Sequence, residues 1–166
     1  MKRLGVAVMM MLGAMVAPRA QAATATSNMN VSATVASTCS ITAGSLAFGA
    51  YDTIGGAQVD GTATVTVACT KGAITSITLG QGQNAGSGST DSAPVRRMVS
   101  GLNFLSYALF SDPTRLVTWG NTALTGHAYV ATTSASQAFT VYGRIAANQD
   151  VPAGSFSDVV VATITF

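Results

Sequence analysis

Phe156-Ser-Asp-Val-Val-Val-Ala-Thr-Ile-Thr-Phe166 closes the sequence and decides how the rest of it is read. Val160, Ala162, Ile164 and Phe166 fall on one side at period two, and Val159, Val161, Thr163 and Thr165 on the other, so the run reads as a strand with two largely apolar faces. Such a strand calls for burial on both sides. No turn signal follows it, and a sheet that stops on such a strand offers a row of unpaired N–H and C=O groups that templates pairing with another chain.

Working back from this strand, the same period recurs. Ala63, Val65, Val67 and Cys69 share a face in Thr62 to Cys69, and Phe139, Val141, Gly143 and Ile145 share one in Ala138 to Ala147. Further strands are expected at Ala73 to Gly80, Leu102 to Phe110, Leu116 to Trp119 and Gly126 to Ala131. Thr70-Lys71-Gly72 reads as a tight connection and Gln81 to Pro94, with Gly86-Ser87-Gly88-Ser89, as a flexible loop. No window after the first residues carries a helical 3.6 period. Seven or so short strands separated by turn signals predict an all-β domain, most simply a two-layer sandwich.

The start of the chain has a different character. Lys2 and Arg3, an apolar stretch from Leu4 to Ala17, and Ala20-Gln21-Ala22 have the order of a secretory signal. The apolar run is shorter than the roughly 20 residues a spanning helix needs. Residues 1–22 are therefore expected to be removed, sending the protein through the inner membrane. Without Lys2, Arg3 and Arg19, the 8 basic residues fall to 5 against 6 acidic ones, a net charge of −1. The basic balance of the precursor thus gives no ground for a nucleic-acid or anionic-membrane partner. Glutamate is absent and Lys71 is the one remaining lysine, so Thr, Ser, Asn and Gln solvate the surface.

Residues 23–35 alternate almost without fault, with Met29, Val31, Ala33 and Val35 opposite Asn28, Asn30, Ser32 and Thr34. At about 43 Å when extended, this strand is longer than most and is expected to lie partly off the domain. In an exported chain Cys39 and Cys69 most simply form one disulfide. Closing a loop of about 31 residues, it is worth roughly 3 to 4 kcal/mol.

Three segments in order go beyond generic all-β: Tyr107-Ala-Leu-Phe-Ser-Asp-Pro-Thr-Arg115 with Trp119-Gly120, Phe139-Thr-Val-Tyr-Gly-Arg-Ile145, and Pro152-Ala-Gly-Ser-Phe-Ser-Asp158 running into the closing strand. Together they resemble the spore coat protein U domain, a family that includes secreted subunits of archaic chaperone-usher pili. The resemblance covers essentially the whole chain after the signal, with residues 36–166 as the domain. It implies an incomplete immunoglobulin-like β-sandwich completed by donor-strand complementation, in which an extended segment adds a strand to an open sheet edge. The implied donor is roughly Ala23 to Val31, with Ala25, Ser27, Met29 and Val31 inserting. The implied acceptor-groove edge is Val160, Ala162, Ile164 and Phe166. The function that follows is a structural pilus or fimbria subunit for adhesion and biofilm formation, exported to the periplasm and then to the cell surface. Its implied partners are identical or related pilin subunits, a periplasmic chaperone and an outer-membrane usher.

Chemistry has little purchase on these residues. His127 is the only histidine; Ser134 or Ser157 with an aspartate would be needed beside it, and no nucleophile-elbow pattern supports that. Asp112 with Pro113 reads as a turn, and Asp158 as a pin at the entrance to the last strand, rather than as metal ligands. Trp119 reads as core rather than as a sugar platform. No cofactor, metal or small-molecule substrate is expected, and no enzyme. Two alternatives stay open: a secreted monomeric coat or matrix protein whose own N-terminal strand completes the sheet, and a small outer-membrane β-barrel, against which the disulfide and the sparse aromatics weigh.

Overall fold

The computed structural model describes residues 18–166; the expected signal falls mostly on residues 1–17, outside the described residues. Eight strands form among the described residues: β1 (Cys39–Ala43), β2 (Val59–Cys69), β3 (Ile74–Leu79), β4 (Arg96–Ser100), β5 (Asn103–Phe110), β6 (His127–Val130), β7 (Gln137–Ile145) and β8 (Ala162–Thr165). They make two antiparallel sheets, one in the order β1-β2-β7-β5-β4 and the other β6-β3-β8. No helix occurs among the described residues. The architecture is the all-β, immunoglobulin-like sandwich expected, and two sheets with free end strands are not the single closed cylinder of a membrane barrel.

Alternation dictates the core. Val65 and Val67 on β2 and Val141 on β7 point inward and meet Ile77 and Leu79 on β3, with Leu109 and Trp119 filling the space between the sheets. Trp119 is fully buried, and its Nε1–H donates to Ile77 O at 2.8 Å, so its one polar atom is satisfied. Thr70-Lys71-Gly72 is the tight connection expected, with Gly72 at φ +88°, and it carries the chain from one sheet to the other. Gly61 and Gly143 face each other across β2 and β7. A Cβ on Gly143 would stand 2.7 Å from Leu46 and 2.9 Å from Phe48, so the bare pair is the bed in which the segment after β1 lies.

Several expectations need correction. Leu116 to Trp119 is not a strand but a single bridge, Phe110 to Thr118. The Asp112 carboxylate captures the N–H groups of Leu116 and Val117, at 3.1 and 2.7 Å, which a ladder would need. β1 and β4 escaped the sequence reading, the first for its shortness and the second because adjacent Arg96 and Arg97 look like loop. The closing strand is buried on one side only: Val160, Ala162 and Ile164 pack on the core, whereas Val159 and Val161 are exposed. Residues 18–38 are exposed throughout and have no ladder, so the long N-terminal strand expected at 23–35 is not formed in the isolated chain; extended backbone becomes a strand only with a partner. The loop from Gln81 to Pro94 is tied by a turn of its own, Ser89 N–H to Gly86 O at 3.1 Å, and by Gly86 N–H to Val95 O at 2.8 Å.

Candidate functional site

β1 and β8 are end strands of different sheets, and they lie against each other. Cys39 and Cys69, paired directly in the β1–β2 register, form the disulfide, with an S–S length of 2.05 Å. Cys39 and Ile164 both pack against the buried cluster of Cys69, Ala73 and Ala131. Between them opens a cleft of about 410 Å³ whose walls include Ala43, Gly44 and Leu46 on one side and Val160 and Ala162 on the other. Its floor is core: Val65, Leu79, Leu109 and Val141. An apolar interior is thus reachable along a strand whose outer edge has no ladder partner among the described residues.

Of the four residues expected at the groove edge, Val160 and Ala162 line the cleft, Ile164 packs beside the disulfide, and Phe166 is 56% exposed. The expected donor residues Ala25, Ser27, Met29 and Val31 are exposed, the last two at 86% each. Large apolar side chains kept in water cost free energy that burial elsewhere would recover.

The end of the cleft where the last strand enters is built from polar groups. Asp158 Oδ1 accepts from the Gln83 N–H at 2.9 Å and from Asn84 Nδ2 at 3.1 Å, and Oδ2 accepts from the Tyr107 hydroxyl at 2.7 Å. Burial, reinforced by that bond, pushes the Tyr107 phenol up and keeps it a donor. Gly82 sits at φ +85° where a Cβ would collide with Asp158 Oδ2, so only glycine lets the loop close on the carboxylate. Asp158 is the strand-entrance pin that the sequence suggested. Arg96 was not foreseen. It is 1% exposed, and it donates from Nε to Gly80 O and from Nη2 to Leu79 O and Trp119 O, each at 2.8 Å. Burial lowers its pKa to about 10, which still leaves the cation at neutral pH. These bonds tie edge strand β4 to the end of β3, fixing the wall that the last strand leans on. Only the arginine following a turn-rich loop hinted at it.

The set-aside chemistry stays dispersed. His127 lies tilted between Trp119 and Phe139, with ring centroids 5.6 and 4.7 Å away. Ser157 gives its backbone to a bridge with Val99, and Ser134 lies exposed between β6 and β7. Among the described residues no three His, Cys, Asp or Glu side chains gather at a metal-binding spacing. A second hollow of about 750 Å³ lies beside Phe48, Tyr51 and Met98, but the Tyr51 hydroxyl there is spent on Ala146 O and the Gln149 N–H.

Three comparisons bear on this geometry. The model of the Spore Coat Protein U domain matches residues 25–163. "Protein U" of Myxococcus xanthus is 42% identical over 158 residues, covering 89% of this chain and 88% of that protein. Among solved structures, a chain of the chaperone–tip adhesion subunit pre-assembly complex from the archaic chaperone-usher Csu pili of Acinetobacter baumannii is similar in fold. The TM-score is 0.56 at 22% identity, over 80% of this chain and 40% of that one.

Proposed function

The chain belongs to the Spore Coat Protein U domain family, and from that premise we propose that it is a structural subunit of a surface pilus, polymerising by donor-strand exchange. The observation that carries this reading is the cleft between β1 and β8: about 410 Å³, floored by the core side chains Val65, Leu79, Leu109 and Val141 and opening beside a strand edge with no ladder partner among the described residues. A strand laid there gains main-chain hydrogen bonds from the edge and buries alternate side chains. Residues 23–31 have the right pattern, with Ala25, Ser27, Met29 and Val31 on one side and Thr and Asn between them.

A subunit that carries a donor and a groove at separate places makes a contact that repeats without closing, and the product is a filament. Until a neighbour arrives the cleft is an aggregation hazard. A periplasmic chaperone that lends a strand and an outer-membrane usher that exchanges it are the partners this reading requires, with export by the signal at residues 1–22. The assembled fibre serves adhesion and biofilm formation at the cell surface; no catalytic step enters.

The test is a gel of unboiled secreted material alongside electron microscopy of the exporting cells. Wild type should give a ladder of heat-labile multimers and thin fibres. Deleting residues 23–31 should abolish both, and Met29→Asp should shorten the ladder without lowering the melting temperature of the domain. A ladder unchanged by the deletion refutes the proposal.

A further inference from the structure

The lead into β1 is fastened to the domain, and this limits how far away a neighbouring copy can stand. The Thr38 N–H donates to Thr70 Oγ1 at 3.1 Å, the Thr70 N–H donates to Thr38 O at 2.9 Å, and Thr70 Oγ1 donates to Ala36 O at 3.3 Å. With a donor ending at Val31 and the anchor starting at Ala36, five Cα steps remain, a reach of at most about 17 Å. The five-stranded sheet is broader, roughly 19 Å between its outer strands at about 4.8 Å per spacing.

The domain has two ends. β3 leaves the Lys71 turn at the disulfide end and runs to Gly80 at the far end, where Gln81 and Asp158 lie; β8 runs back, Ala162 opposite Leu79 and Thr165 opposite Ser76. A donor that left its neighbour's cleft at the disulfide end would bring the disulfide ends of successive copies within about 17 Å of one another, closer than one sheet is broad. A donor leaving at the far end sets the disulfide end of one copy on the far end of the next, and the step then repeats at the length of a domain. The short linker selects the second arrangement.

Charge agrees with it. Lys71 is exposed and is the one charged side chain between Gly61 and Thr90; residues 20–51, 116–143 and 159–166 contain no Lys, Arg, Asp or Glu. At the far end Asp91 is exposed, while Arg97, also unburied there, is turned onto Asn84 O and Ala85 O and over the Phe104 ring. Its Oδ1 accepts from Gln81 Nε2 and Asn121 Nδ2, both at 3.0 Å, and no donor among the described residues reaches its Oδ2. Asp158, by contrast, has both oxygens engaged within the chain. We infer that the disulfide end, through Lys71, docks on the Asp91 end of a second copy of this chain, a contact that rests on the strand-donation reading.

Within one chain Ala73 and Gly80, which lie between these groups, are roughly 23 Å apart along the strand, so a zero-length amide between Lys71 and Asp91 must join two copies. Carbodiimide treatment of the unboiled polymer, digestion and mass spectrometry should recover a Lys71–Asp91 peptide from multimers and none from monomer. Lys71→Ala or Asp91→Asn polymer should lose it. The double exchange Lys71→Asp with Asp91→Lys should regain the link with its partners reversed. A ladder that forms without this link overturns the docking and leaves strand donation standing, whereas the absence of any ladder overturns both.

Discussion

Replacing Arg96 with methionine keeps the length and apolar stem of the side chain and removes its charge. Three carbonyls then lose donors at 2.8 Å, those of Leu79 and Trp119 buried and that of Gly80 partly so. Hydrogen bonds to a charged group are worth about 1.5 to 3 kcal/mol each, but the wild type also bears the cost of holding a guanidinium out of water, several kcal/mol. Arg96 Nη1 itself has no partner among the described residues, so that cost is incompletely offset. Setting about 1 kcal/mol net for each stranded carbonyl gives a loss near 3 kcal/mol. For a domain of this size that lowers the melting temperature by about 10 °C. Arg96→Lys keeps a charge but cannot fork to three acceptors, and should fall between the two. Circular dichroism melts at neutral pH of a chain that carries residues 23–31 after Phe166 in place of its own N-terminal copy measure this without interference from polymer or from an open cleft. If Arg96→Met melts within 2 °C of the parent, the reading of Arg96 as the tie between β4 and the end of β3 is wrong.

Two further outcomes are expected. Cys39→Ser with Cys69→Ser should cost roughly 3 to 4 kcal/mol, seen as a melting temperature lower by about 10 °C; an unchanged midpoint would mean that β1 is held by its ladder alone. Asp112 is held at about 2 by the Thr114 hydroxyl, then by the N–H groups of Val117 and Leu116, below its ordinary 3.8. A depressed carboxyl stabilises the fold above its unfolded pKa and loses that contribution as the pH falls from about 4 through 2. Melting temperatures between pH 5 and 2 should therefore fall more gently in Asp112→Asn than in the parent, and parallel curves would contradict the assignment.

Period-two patterning made β2, β3, β5, β6 and β7 legible to within a few residues, because each has one face on the core. The disulfide was legible from export and pairing arithmetic, and Asp158 from its place before the last strand. Three things were not. Whether Val159 and Val161 would be covered depends on what stands outside the sheet, and apolarity alone cannot report that. Arg96 reads as surface in any composition-based argument, since a buried guanidinium is explained only by carbonyls from β3 and from Trp119, distant in sequence. The stretch at 116–119 has strand-like residues, but Asp112 takes its N–H groups first, and such local competition leaves no periodic trace.

Appending Ala23 to Val31 after Phe166 through a short flexible linker, in a chain that lacks its own N-terminal copy, asks most directly whether the cleft is built to take that segment. Burying Met29 and Val31 at about 1.5 to 3 kcal/mol each should raise the melting temperature by roughly 10 °C. Sedimentation should show a monomer that neither polymerises nor aggregates. A wild type that is already a stable monomer, with a midpoint that the appended strand leaves unchanged, would contradict the account.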